Sequence, residues 1–313
     1  MKTTLPITLL VLLSLACQRQ ADTVYLFSFF KNNGQDGLHL AYSSDGLNWT
    51  ALNNNQSYLA PTVGEAKLMR DPCIIRGGDG RFHLVWTAGW NEKGIGYAHS
   101  DDLVNWSEQQ YLPVMEHEPE ALNCWAPELF YDESSQRYLI YWATTIPNRF
   151  PDTDSTGDKG YNHRIYATTT EDFQAFSPTE LFYDQGFNVI DAMVKKSSQE
   201  YVLFLKNEVR YPQPEKNIRI ARSPQLTEDY GDASSPITPE GVWVEGPTAL
   251  QIKDSWIVYY DQYIDHRMGA VRSQDLVNWE DISDQIHFPD GTRHGTVFTV
   301  SKKEFEKLTS VRP

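Results

Sequence analysis

Apolar and polar positions alternate in short runs along most of this chain, and glycine- and aspartate-rich turns separate the runs. Over residues 69–106 the pattern predicts a strand at 73–76, a Gly-Gly-Asp-Gly turn, a strand at 81–87, a loop, a third strand at 94–99 and a polar turn closing on Trp106. Phe82, Leu84 and Trp86 carry the period of two, and a glycine-rich turn between β-rich runs is hairpin chemistry. The expected unit is four antiparallel strands, the last short or irregular.

The unit repeats. Its closing turn recurs as Ser44-Asp45-Gly46-Leu47-Asn48-Trp49, Ser100-Asp101-Asp102-Leu103-Val104-Asn105-Trp106 and Ser273-Gln274-Asp275-Leu276-Val277-Asn278-Trp279. Looser copies are Thr170-Glu171-Asp172-Phe173 and Ser223-Pro224-Gln225-Leu226. Five copies imply five units. The first copy lacks a leading strand, while His294-Gly295-Thr296-Val297-Phe298-Thr299-Val300 is a strand without a unit. A ring whose first blade takes its innermost strand from the C-terminal end explains both facts and leaves no open edge. The expected fold is all-β, a single five-bladed β-propeller over residues 22–305, with 306–313 as a tail. A two-sheet sandwich is the competing arrangement, and the four recurring opening hairpins favour the propeller. Residues 146–163, rich in Pro, Asp and Gly, read as a long insertion within one blade, where function is common.

Composition supports the β reading: 9 Trp, 17 Tyr and 14 Phe accompany few amphipathic helical runs. A formal net charge of -15 disfavours nucleic acid, anionic membrane surfaces and, more weakly, polyanionic substrates. The first residues have Lys2, an apolar run from Ile7 to Leu15, and small residues before Cys17. They read as a secretion signal over 1–17, similar to a bacterial lipoprotein signal with Cys17 lipidated, although Ser14 stands where Leu is usual. The expectation is export to the periplasm or the outer-membrane surface, with a lipid anchor as the only membrane contact, for a monomer. Cys73 and Cys124, in apolar and aromatic strand contexts, read as buried free thiols.

In a propeller the first strand of each blade lines the central channel, so residues at those strand starts converge. They are Asp71-Pro72, Trp125-Ala126-Pro127-Glu128, Ile190-Asp191-Ala192, Glu245-Gly246-Pro247 and Arg293-His294-Gly295. Acids among apolar residues at four matched positions point to chemistry, since acids serving only solvation sit on turns. Glycoside hydrolysis needs two such carboxyls, one protonating the leaving oxygen and one activating water on the opposite face of the sugar.

These motifs, in order and spacing over nearly the whole mature chain, resemble glycoside hydrolase family 43, five-bladed propellers acting on arabinosides, xylosides and related galactosides. The resemblance implies Asp71 as general base, Asp191 as modulator and orienter of the acid, and Glu245 as general acid. It implies inversion, with an α-L-arabinofuranosidase or β-xylosidase type of activity on plant or algal glycans, and the insertion at 146–163, long enough to wall the site, points to exo action that releases terminal sugars. No cofactor is implied, apart from room for a Ca2+ ion in the channel that His294 reaches through water. His294 reads equally as that ligand and as a packing histidine, and Glu128 equally as a substrate contact and a structural acid. Further substrate contacts are expected from Trp90 and Trp125 as stacking platforms, from Asn162, His163 and Arg164 at the end of the insertion, and from Lys206. The fructan-cleaving propellers share Arg-Asp-Pro but need Asn-Asp-Pro and Glu-Cys motifs that this chain lacks. Two rival readings are a related hydrolase of another sugar, a galactosidase or anhydro-sugar hydrolase, and a non-catalytic sugar-binding propeller on a cell surface.

Overall fold

The computed structural model describes residues 22–198 and 200–310. The signal segment and Cys17 lie outside the described residues. Blade I contains β1 (Thr23–Phe29), β2 (His39–Ser43) and β3 (Thr50–Ala51). Blade II contains β4 (Arg70–Arg76), β5 (Phe82–Thr87), β6 (Ile95–Ser100) and β7 (Gln110–Leu112). Blade III contains β8 (Trp125–Asp132), β9 (Arg137–Thr145), β10 (His163–Thr170) and β11 (Glu180–Tyr183). Blade IV contains β12 (Val189–Lys196), β13 (Tyr201–Asn207) and β14 (Asn217–Ser223). Blade V contains β15 (Glu245–Ile252), β16 (Ser255–Gln262), β17 (Arg267–Ser273) and β18 (Glu280–Asp281). The last strand, β19 (Val297–Ser301), pairs antiparallel with β1, Thr23 opposite Ser301 and Phe27 opposite Val297. It supplies the innermost strand of blade I and closes the ring, as the orphan strand in the sequence predicts. The tail is helical, α1 (Lys302–Ser310).

The alternation along the strands has a cause specific to this ring. All six residues of β5 are buried. Phe82, Leu84 and Trp86 pack with Leu26 and Leu40 of blade I, whereas Val85 packs with Ile140 and Trp142 of blade III. Both faces are therefore buried, each toward a different neighbour, and on the second face His83 and Thr87 bury polar groups that are hydrogen-bonded. Five apolar clusters fill the five gaps between adjacent blades.

The repeated turn works through its Ser/Thr and Asp. Ser100 Oγ accepts from the amides of Asp102 and Leu103, and Asp102 Oδ1 accepts from those of Val104 and Asn105. The copies at Ser43, Thr170 and Ser273 do the same. Blade IV departs from the expected four strands. Its copy has Gln225 in place of the Asp with Pro224 just before it, and Pro236 and Pro239 follow, residues without an amide to donate to a ladder. An irregular segment covers β14 instead, through single bonds such as Ser234 N to Ile220 O (2.8 Å) and Ile237 N to Ile218 O (2.9 Å).

Candidate active site

Four blades begin their innermost strand with the same irregularity. On β4, Arg70 pairs with Thr87 and the next pair is Cys73 with Val85. On β8, β12 and β15 the pairs before the irregularity are Trp125–Ala143, Ile190–Lys206 and Glu245–Asp261, and the next are Glu128–Tyr141, Met193–Phe204 and Thr248–Tyr259. Two inner-strand residues thus oppose one, a β-bulge, a device that re-aims side chains. The residue after the pair that precedes the bulge is left-handed in every case: Asp71 (φ 52°), Ala126 (46°), Asp191 (50°) and Gly246 (62°). Asp71 and Asp191 occupy equivalent bulge positions, while Glu245 precedes its bulge and Glu128 follows its own.

That offset decides which acids meet. Asp71, Asp191 and Glu245, from blades II, IV and V, line one cavity of about 240 Å³ together with His294. Asp71 Oδ2 accepts from Thr87 Oγ1 (2.8 Å), and its Oδ1 lies 3.3 Å from His294 Nδ1. Burial pushes the Asp71 carboxyl up, but the hydrogen bond and charge of His294, with Arg70 and Thr87, outweigh it and hold the group at about 2. Asp191 Oδ2 is 4.0 Å from His294 Nδ1 and accepts from the Gly246 amide (3.0 Å). Burial raises Asp191 to about 6 against the opposing pull of His294 and Lys206. Burial alone would lower His294, yet the charges of Asp191 and Asp71 and the Asp71 hydrogen bond carry it up to about 9, so it is an imidazolium at neutral pH. Glu245 stands between two cations, Lys206 Nζ 3.5 Å from Oε2 and Arg293 Nη2 3.3 Å from Oε1.

Trp90, Trp125 and Lys206 line the same cavity. His163 lines a second cavity of about 450 Å³ that adjoins it across Trp90 and Trp125. Its Nδ1 bonds Thr145 Oγ1 at 2.8 Å, and burial lowers its pKa to about 3, so the ring is neutral. Three expected contacts lie elsewhere. Glu128 is buried past its bulge, where Oε1 accepts from Thr296 Oγ1 (2.7 Å) and Oε2 from Cys73 Sγ (3.3 Å), which makes it a structural acid. Asn162 donates to Phe150 O and Asp154 Oδ1 and so ties down the insertion. The Arg164 guanidinium bonds Asp184, Thr153 and Asn162 behind the pocket wall. Among the described residues no group of three or more His, Cys, Asp or Glu is arranged to hold a metal ion, and His294 Nδ1 faces carboxylates. Cys73 and Cys124 are buried free thiols.

Several pocket residues escape sequence reasoning. Glu208 receives Lys206 Nζ (2.7 Å) and also Lys216, and together with Arg210, Tyr263 and Trp243 it builds one wall. Asp261, fully buried and opposite Glu245 on β16, accepts from Arg293 Nε (2.5 Å) and thereby aims that cation at Glu245. The period-two spacing of Lys206, Glu208 and Arg210 off the end of an apolar strand is the signal that could have found that wall.

Residues 21–306 match the family model described as "Probable glycosyl hydrolase domain", a model of the family 43-related kind. The chain belongs to this glycosyl hydrolase family. Among curated proteins it is 25% identical over 273 residues to an α-L-arabinofuranosidase of Bifidobacterium longum; the match covers 74% of this chain and 25% of that protein, so the chain spans about a quarter of the relative's length. Among solved structures, an α-L-arabinofuranosidase from Clostridium thermocellum superposes with a TM-score of 0.56 at 15% identity, covering 80% of this chain and 86% of that one. An exo-β-1,3-galactanase from the same organism gives 0.52 at 13% identity, covering 70% and 50%. At these identities the structural likeness of the family 43-related domain concerns the fold.

Proposed function

We propose that this family 43-related domain is an inverting, exo-acting glycoside hydrolase that releases a terminal sugar, of the α-L-arabinofuranosidase or β-xylosidase type. One observation carries the reading: three carboxyls from three blades meet in a single small cavity, one of them held ionised at about 2. Asp71, kept a carboxylate by His294 and Thr87, accepts a proton from the attacking water. Glu245 donates a proton to the leaving glycosidic oxygen, and Lys206 and Arg293 hold the carboxylate that results. Asp191 acts through position, since it accepts from the peptide that follows Glu245. Trp90 and Trp125 offer faces for the sugar. Asp158, from the long insertion, lines the same cavity, which supports a walled site that takes a chain end. The N-terminal signal supports an exported enzyme.

The test is hydrolysis of aryl α-L-arabinofuranoside, β-D-xyloside, β-D-galactoside and α-L-galactoside by the wild type beside Glu245→Gln. Cleavage of one sugar, reduced about 10²–10⁴-fold in the variant, is expected, with monosaccharide as the first product from a polymer. Undiminished activity of Glu245→Gln would remove Glu245 from its role, and early release of internal oligosaccharides would overturn exo action.

A further inference from the structure

Every arginine among the described residues has a carboxylate within 4.0 Å except Arg70 and Arg210. Both of these line the candidate active-site cavity. In a chain with 42 acidic and 27 basic residues, acids are plentiful, so two unpaired guanidiniums in one pocket call for a partner that is not part of the chain. The pocket's own carboxylates do not fill that role. Glu208 has Lys206 and Lys216, Glu245 has Lys206 and Arg293, and Asp71 and Asp191 share His294. Asp158 alone of the lining acids has no cation within ion-pair distance among the described residues, so against two arginines it leaves one positive charge unmatched.

Both guanidiniums lie over aromatic rings. The Arg70 Cζ lies 4.6 Å from the Phe30 ring centre and 4.3 Å from that of Trp90, and Nη1 donates to Asn33 Oδ1 at 3.1 Å. The Arg210 Cζ lies 4.6 Å from the Trp243 ring centre and 5.3 Å from that of Tyr211. Contact with an aromatic face restricts the guanidinium, and while Arg70 spends one N–H on Asn33, the N–H edge of Arg210 matches a carboxylate or sulfate in a two-bond fork. Pre-ordering of this kind lowers the entropy lost when an anion binds.

We propose that Arg210 receives an anionic group on the substrate, so that the released sugar carries one negative charge, either the carboxylate of a uronic acid or a sulfate ester. This rests on the glycosidase reading and on the same carboxyls, but departs from its neutral arabinose or xylose to a terminal sugar that bears one acidic group. A net charge of -15 still repels polyanions at a distance, but at physiological salt that field is screened beyond about 8 Å, and contact with the Arg210 guanidinium governs a single charge.

Monosaccharides are not hydrolysed, so binding to the unmodified protein is the direct test. Calorimetric titration with D-glucuronate, D-galacturonate and galactose 6-sulfate, each against its neutral counterpart, is expected to show at least one charged sugar binding tenfold or more tightly. The sugar that does so separates carboxylate from sulfate. Arg210→Met should bring the ratio to within twofold, Arg210→Lys should leave it intermediate, and Arg137→Met, which alters a surface pair with Glu171, should not change it. Equal binding of charged and neutral sugars, no binding of any charged sugar, or an unchanged ratio in Arg210→Met would overturn the proposal. Hydrolysis of a neutral aryl glycoside that is lost in Glu245→Gln would still stand in that event, so the two readings fail separately.

Discussion

His294 is the residue on which the pocket's charges turn. It lies between Asp71 and Asp191, and its proton is what keeps Asp71 ionised although buried. The pKa of His294 is raised from an ordinary 6.5 to about 9, so its contribution to stability is complete below 6.5 and is lost as pH rises through 9. Denaturant unfolding of the wild type should therefore lose up to about 3 kcal/mol between these limits, and His294→Gln should lack that fall. A wild-type curve flat over the window would refute the charged pair. Asp191, raised to about 6, adds a separate loss at lower pH, as the medium passes from its ordinary 3.8 to 6. Sequence placed His294 in the channel but left its partner open, because a histidine in an Arg-His-Gly context carries no sign of which atoms its ring will meet.

The bulges at the strand starts explain why three acids converge and a fourth does not. Asp71, Asp191, Glu245 and Glu128 look alike as acids near strand starts, yet they stand at, at, before and after the left-handed residue. Matched topology was legible; the offset was not, since a bulge leaves little trace in a run such as Trp-Ala-Pro-Glu. Gly246 tests the device. Its φ is +62°, and a Cβ there would lie 2.3 Å from Cγ and Cδ2 of the His294 ring. Gly246→Ala should cost about 2–4 kcal/mol from strain and overpacking. It should also lower kcat/KM by displacing His294 and the neighbouring Glu245. Wild-type melting and turnover in this variant would show that the bulge tolerates a side chain.

The ring stands as one cooperative body because every gap between blades is filled and β19 closes the seam. Removal of residues 297–313 deletes that strand and leaves the inner edge of β1 unpaired, a template for association. The truncated protein should show a broad, lower-temperature melt and aggregate on heating, where the intact chain melts in one transition. An unchanged single transition would mean that β19 is not needed for closure. Scattering or size-exclusion measurements would report the aggregation directly.

The chain by itself determined the number of blades, the closure of the ring and the three acids that the inner strands bring to the pocket. Each depends on local patterns: period-two runs, a Ser-Asp turn that caps its own amides, an orphan strand at the end, and acids set among apolar residues. It also pointed to Trp90, Trp125 and Lys206 as pocket residues. Only the tertiary structure decided which partner each acid has. Asp191 meets the Gly246 amide, Glu245 meets Lys206 and Arg293, and Asp261 supports Arg293 from the adjacent strand. The same is true of Glu128, Asn162 and Arg164, which hold the scaffold, and of Arg70 and Arg210, the arginines without a carboxylate. The physical reason is distance along the chain. A turn or an alternation is settled by neighbours a few residues apart, whereas a buried charge is settled by whatever the other blades bring to it.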